Sequence, residues 1–485
     1  MLRRWWSVAG LALFGATWRL WTSQTEFPQV PLFGWAGSLP LFVDWLAFGV
    51  LLGSLAAAAS KPDSRRSWMA IAVSLGVLMV LDQHRLQPWA WQLLLMAIWW
   101  SSANVGEVSN LPCIALTISI YFWSAISKLD ADFAASHGQT LIEALFRTVG
   151  INAANWPASA KSWLAFFLPV GELLVAIGLC WPRTRRLALI AATALHVGLI
   201  LALGPLGLGH RSGVLLWNVA FIGHDWLLFG GRKLWGSGLG RSASEGVDSP
   251  TSTTPSQARF HVALSPRRGN NMPAQGNALG QDSPEFIEAL KGRNSTHEQG
   301  CFALSGLRDL FYSLTQGVAL GWHIAAPLGR NHKHTTSKLT LRVSLLAFAC
   351  VWPMTERWGL CDRWLAWSVY AARSERVSVT LTDEGLLRLP ESARRCVTDG
   401  ELPLDRWSLT ALDVPISPQL RFQFGIVEWL RRRCGEENLV EVIVQRSQGA
   451  SGEVERLTAE QCNEHRRVFW INSQPRDASL AGNRR

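Results

Sequence analysis

At 485 residues the chain could hold about three soluble domains, yet its composition is not that of a soluble protein. Hydrophobic residues make up 48% and charged residues 17%, against about 25% charge in ordinary globular chains. Long apolar runs up to about Gly230, followed by a remainder rich in charge, Ser, Asn and Pro, exclude both a wholly soluble enzyme and a wholly disordered chain. They predict a polytopic membrane protein with a long polar C-terminal portion.

The net charge of +10 does not indicate nucleic-acid binding. Arg3-Arg4, Lys61 to Arg66, Arg183 to Arg186 and Arg232-Lys233 stand at the ends of apolar runs, where basic residues fix membrane orientation. RNA-binding, zinc-finger and basic-zipper signatures are missing from the sequence. The eight cysteines include no C-x-x-C pair, so no zinc ribbon or thioredoxin-like motif is supported and no metal site is expected.

In chain order, MLRRWWSVAGLALFGATWRLW opens with basic residues and an apolar body but lacks a small-x-small cleavage site, so it reads as an uncleaved first span. Further spans are predicted near 39–60, 67–82, 88–103, 111–128, 162–181, 187–204 and 213–230. With Arg3-Arg4 cytoplasmic, eight alternating spans put every strong basic cluster on the cytoplasmic side and 129–161 and 206–212 outside. The expected fold is an all-α bundle over 1–230, about eight helices, with one later span and a small α+β domain.

Residues 231–300 are Gly-, Ser-, Pro- and Asn-rich and read as a flexible polar linker. In 301–358, Leu304, Leu307, Leu310, Phe311 and Leu314 recur at helical spacing around Arg308-Asp309, the pattern of an interfacial helix, and Leu339 to Trp358 is the further candidate span. The remainder, 359–485, would then be extracytoplasmic. Val377, Val379 and Leu381 alternate as in a strand, as do Val440, Val442 and Val444. Pro418 to Cys434 reads as a helix burying Leu420, Phe424, Val427 and Leu430, closed by Gly435. QGASGE reads as a hairpin turn into Val454–Leu457. Cys361, Cys396, Cys434 and Cys462 would face an oxidising compartment, where disulfides can form.

Ionisable groups in apolar spans cost about 2.5–3.5 kcal/mol each on insertion scales, so each needs a reason. Those in question are Asp44, Asp82, His84, Arg85, Lys128, Asp130, Asp132, Glu172, His196, His210 and His224. Lys128 ends a span; it either snorkels to the interface or is desolvated, which would let it serve as a base. Asp82 to Pro88 forms a polar knot, read either as an outside loop with an Asp82–Arg85 pair or as a cap on a pocket beside Lys128. Glu172 either pairs with Lys128, hydrogen-bonds a neighbour or lines a polar cavity. His196, His210 and His224 are equally spaced, but Gly204, Pro205, Gly207 and Gly209 break the helix that would align them. Asn331-His332-Lys333-His334 reads as a solvated loop.

The stretch SKLDADF (Ser127 to Phe133), approached by YFWSAI, resembles the K-K-L-D-A-D-W segment of vitamin-K-dependent γ-glutamyl carboxylases and the wider HTTM transmembrane domain. Gly171-Glu172-Leu173-Leu174, the basic turn Arg183–Arg186 and a helix carrying His196 continue the likeness, within residues 1–230. DoxX-like and MauE-like redox-associated membrane proteins are similar in the same bundle plan and the lysine at a span end. The carboxylase resemblance implies Lys128 as the base that deprotonates a membrane quinol and His196 as a donor to developing negative charge; Asp82, His84, Arg85 and Glu172 are the supporting candidates, read from their positions, for binding the quinone. Ser127 stands where that family has its other lysine, and no large outside domain is evident. The competing expectation is a non-catalytic scaffold in the lipid bilayer whose tail binds an extracytoplasmic protein partner.

Overall fold

The computed structural model describes residues 1–102, 110–231, 344, 346–371, 375–446, 453–467, 469 and 471–476. The linker, the 301–314 helix, Arg232-Lys233 and Asn331–His334 lie outside the described residues.

Every one of the eight predicted N-terminal spans is a helix. They are α1 (Leu2–Ala16, continued by the short α2, Trp18–Trp21), α3 (Phe42–Ser60), α4 (Arg65–Leu81), α5 (Pro88–Ser102), α6 (Leu111–Ile126), α9 (Ala158–Cys180), α10 (Arg185–Leu203) and α11 (Ser212–Phe229). Four of these, α3, α9, α10 and α11, are long and apolar enough to cross a membrane. Their outer faces stay apolar and exposed, as at Trp163, Phe167 and Leu174 of α9 or Leu187 and Ile190 of α10, which suits lipid rather than water. The segment expected as an outside loop, 129–161, carries two further helices, α7 (Ala131–Ala135) and α8 (His137–Thr148). Asp130 caps α7 by accepting from Phe133 N, so KLDADF ends one helix and starts the next.

The bundle has two chemically distinct ends. Arg3 pairs with Asp63, Arg4 donates to Ala59 O, Arg65 to Ser101 O and Arg185 to Leu179 O, all at one end. The connections α2–α3, α4–α5 and α10–α11 meet the tail at the other. Close approach is built in where small residues allow it: a Cβ on Gly223 of α11 would lie 2.2 Å from the Trp5 ring of α1.

Within Leu339–Trp358, Ser344 and Leu346 to Val351 are helical, and the segment then turns as a 3-10 helix over Trp352–Trp358. It lies along α5 and α6: Trp123 donates to Cys350 O and Trp352 packs edge-on against Trp91.

The tail is α+β. Its strands β1 (Arg376–Leu381), β2 (Glu401–Pro403), β3 (Leu439–Arg446) and β4 (Glu453–Leu457) form an antiparallel sheet in the order β2-β1-β3-β4. Val379 pairs with Leu402 and Val442, and Val442 with Leu457, aligning the inward side chains. One detail departs from the expected alternation. The register slips between Thr380 and Leu381, so Leu439 takes the inward place and Val440 is 57% exposed, as a bulge dictates. Between the strands run α12 (Asp383–Arg388), α13 (Glu391–Arg394), α14 (Leu404–Leu412) and α15 (Leu420–Cys434), with α16 (Ala459–Arg467) following β4. Helix α15 buries Phe424, Val427 and Leu430 as predicted, and also Phe422 and Ile426. Both of its faces are covered because it lies between the sheet and the bundle. A Cβ on Gly425 would meet Val30 at 2.7 Å; the absence of a side chain there brings helix and bundle together. Among the described residues seven cysteines, including Cys361, Cys396, Cys434 and Cys462, are free.

Candidate functional site

Helix α6 carries the two buried polar clusters nearest to the expected chemistry. At its end Lys128, just past Ser127, extends into the bundle instead of toward solvent. Its Nζ donates to Glu172 Oε1 of α9 at 2.6 Å, with both side chains under a tenth exposed. Of the readings open in sequence, the structure supports desolvation of Lys128 and its pairing with Glu172. Pairing changes the chemistry available. An ammonium has only donors, so the acceptor this pair still offers is Glu172, whose buried Oε2 has no hydrogen-bond partner.

Two helical turns toward the start of α6, about 10 Å along its axis, Tyr121 joins three helices. Its hydroxyl lies 2.6 Å from Asp225 Oδ2 of α11 and 2.8 Å from His196 Nε2 of α10. His196 Nδ1 lies 2.8 Å from Asn218 Oδ1, and Asn218 Nδ2 donates to Val214 O. Phe221 packs against both Tyr121 and His196. His196 is thus hydrogen-bonded into a cluster of its own, two turns of α6 from Lys128. An apolar cavity of about 40 Å³ bordered by Leu95, Trp99, Leu116 and Ala349 and an open groove of about 370 Å³ bordered by Phe33, Phe469 and Asn472 are lined by neither residue.

His224 belongs to another contact. Trp6 Nε1 donates to its Nδ1 at 2.8 Å, and its Nε2 lies 2.7 Å from Thr117 Oγ1, which itself donates to Cys113 O. Nε2–H must be the donor to Thr117, so this imidazole is neutral and fully satisfied. His210 lies edge-on to Tyr370 of the tail. The three evenly spaced histidines are thus in three separate places. Among the described residues no three or more His, Cys, Asp or Glu side chains are grouped to hold a metal.

The polar knot Asp82–Arg85 is a buried joint between bundle and tail. Arg85, wholly buried, pairs with Asp44 at 2.5 Å and donates to Leu20 O, Leu78 O and Thr22 O. The expected Asp82–Arg85 pair is replaced, because Asp44 on the neighbouring helix offers a carboxylate at the guanidinium's end. Asp82 instead accepts from Val30 N and His84 N. Burial, only partly offset by Arg85 and these backbone donors, pushes its carboxyl up to about 6. His84 Nε2 donates to Pro415 O at 2.9 Å, and burial lowers its imidazole to about 4. Gln83 donates to Asn472 O and accepts from Arg421 Nε, whose other nitrogens hold Asp362.

Sequence reasoning missed Tyr121, Asn218 and Asp225 of the buried cluster, and Arg421 and Arg476 of the joint, where Arg476 pairs with Asp44. Tyr121 and Asp225 were passed over although a tyrosine is rare in this chain and an acid in an apolar run is costly. Arg421 and Arg476 gave no local signal, because their partners lie hundreds of positions away.

Residues 105–212 match the family model of methylamine utilisation protein MauE. The match covers less than a quarter of the chain and includes Tyr121, Lys128, Glu172 and His196; Asn218 and Asp225 lie beyond it. Of the likenesses read from the sequence, this supports the one to MauE. No curated protein and no solved structure matches the chain. The family match and the four long apolar helices make the chain a multi-pass integral membrane protein.

Proposed function

We propose that this protein is a MauE-like membrane protein that engages a lipophilic quinone or quinol of the bilayer at the Lys128–Glu172 pair. The observation that carries the reading is that pair itself, a 2.6 Å ion pair within an apolar bundle with one carboxylate oxygen left without a partner. The residues fit a quinol hydroxyl: Glu172 Oε2 accepts a hydrogen bond, while Lys128 retains donors beyond the one given to Glu172. A bound quinol would present a hydroxyl whose O–H bond can give its proton to Glu172 Oε2, leaving the quinol anion beside the Lys128 ammonium, which holds the carboxylate before the transfer and again once the proton returns. We assign Asp82, His84 and Arg85 to joining the tail rather than to the quinone, since Asp82 is held by Val30 N, Arg85 by Asp44 and His84 Nε2 by Pro415 O of the tail.

The same proposal places the basic end of the bundle in the cytoplasm and the tail outside, following the positive-inside rule. The test is tryptophan fluorescence of the full chain in nanodiscs, titrated with a short-chain benzoquinone and a short-chain naphthoquinone. Saturable quenching is expected, weakened about tenfold by Glu172→Gln, the loss of one charge-assisted hydrogen bond. Quenching that rises linearly, or that ignores the substitution, overturns the reading and leaves a membrane scaffold with a partner-binding tail.

A further inference from the structure

The cluster around Tyr121 does not depend on the quinone reading, and its hydrogen bonds constrain where its protons are. Asn218 Nδ2 is committed to Val214 O, so Asn218 presents its oxygen to His196, and Nδ1 of His196 must carry hydrogen. Two contacts remain, His196 Nε2 to Tyr121 Oη and Tyr121 Oη to Asp225 Oδ2, at 2.8 and 2.6 Å. Each needs one proton. The tyrosine supplies one, and the other belongs either to His196, as imidazolium, or to Asp225, as carboxylic acid. A neutral His196 beside an ionised Asp225 would leave one buried contact with two acceptors facing each other. Both allowed states carry three protons and no net charge, the condition under which such a group is tolerated inside a bilayer.

We propose that His196, Tyr121 and Asp225 form a proton-relay site in which one proton passes between imidazole and carboxylate through the tyrosine hydroxyl. In the forward step the Nε2–H bond of His196 breaks as that proton bonds to Tyr121 Oη. The original Tyr121 O–H bond breaks as its proton bonds to Asp225 Oδ2. No electron changes hands and the tyrosine ends as it began. The step joins α10 to α11 through α6, and Phe221, packed on both rings, shields it. The neighbouring titratable groups are His224, fixed neutral by Trp6 and Thr117, Cys113 one turn before Thr117 on α6, and the Lys128–Glu172 pair. Asp225 Oδ1, buried and without a partner, is the acceptor through which the relay would communicate further.

The experiment is solid-state nitrogen NMR of histidine-labelled full-length protein in lipid, paired with infrared detection of protonated carboxyls. His196→Gln and Asp225→Asn identify the two signals by their loss. In the parent protein the imidazolium fraction of His196 and the carboxylic-acid fraction of Asp225 are expected to sum to one, and to trade against each other as temperature is varied. Neutral His196 found together with ionised Asp225 overturns the proposal with no variant other than those used for assignment. Tyr121→Phe is expected to abolish the trade while both groups still titrate singly. Persistence of the trade in that variant removes Tyr121 as the carrier and overturns the relay.

Discussion

Arg476 Nη1 lies 2.5 Å from Asp44 Oδ2 although 432 positions separate the two residues. The other Asp44 oxygen takes Arg85 Nη2 at 2.5 Å, so one buried carboxylate ties a bundle guanidinium to a tail guanidinium. Arg476 also donates to Leu39 O, Pro40 O and Gln29 Oε1. Replacing Arg476 by Ala is expected to cost about 3 kcal/mol, the lower end for breaking a buried pair, because Arg85 still holds Asp44. Thermal melting in detergent should register the loss, and limited proteolysis should cut the tail sooner. Arg476→Lys should recover only part of it, since an ammonium cannot fork to several acceptors. An unchanged melting point for the alanine variant would refute this account of the joint.

The Lys128–Glu172 pair invites a comparison of stability with function. Lys128→Ala strands a buried carboxylate and is expected to cost about 3–5 kcal/mol. The double variant Lys128→Met with Glu172→Leu removes both charges and should melt near the parent, a pattern a double-mutant cycle resolves. If the double variant keeps its fold but loses quinone quenching, the pair is retained for chemistry and not for stability.

The tail should carry a characteristic acid response. Glu428 accepts from Arg431 and Arg432 and pairs with Arg466 at 2.6 Å. Burial works to raise its carboxyl, but these guanidiniums outweigh it and hold it down to about 2, below the ordinary 4.5. A depressed carboxylate stabilises the folded state above its unfolded value, and that contribution is lost as pH falls from about 4.5 toward 2. Denaturant titrations across that window should show the parent losing stability that Glu428→Gln lacks throughout. Parallel slopes for the two proteins would contradict the assignment.

The sidedness proposed for the bundle can be read with a thiol reagent that does not cross membranes. Cys180 is exposed at the basic end, beside Arg183–Arg186. It should react in inverted vesicles and stay protected in right-side-out ones, whereas a phosphatase fused after the tail should be active outside. The opposite pair of results would invert the topology while leaving the fold untouched.

Much of the architecture could be read without coordinates because it is written in short-range periodicity. The eight apolar runs became eight helices, and Val377–Leu381 and Val442–Val444 became neighbouring strands with Val379 opposite Val442. β2 escaped notice because three residues are too few to show a period. The site was partly legible. The cost of a charge in an apolar run pointed to Lys128, Glu172 and His196, and the same argument applied to Asp225 would have found the relay's other end. What the sequence could not convey is which distant residues meet. Asp44 was flagged as a buried acid, but nothing near it indicated Arg476, and the two-sided burial of α15 depends on the whole tail being seated.

Arg476 also has a consequence for how the protein is made. Until translation has passed position 476, the connection from Leu20 to Leu41 is missing the guanidinium that draws Leu39, Pro40, Gln29 and Asp44 together. The cap over that end of the bundle therefore cannot close on the 20–41 connection alone: it waits for a side chain made more than 400 positions later.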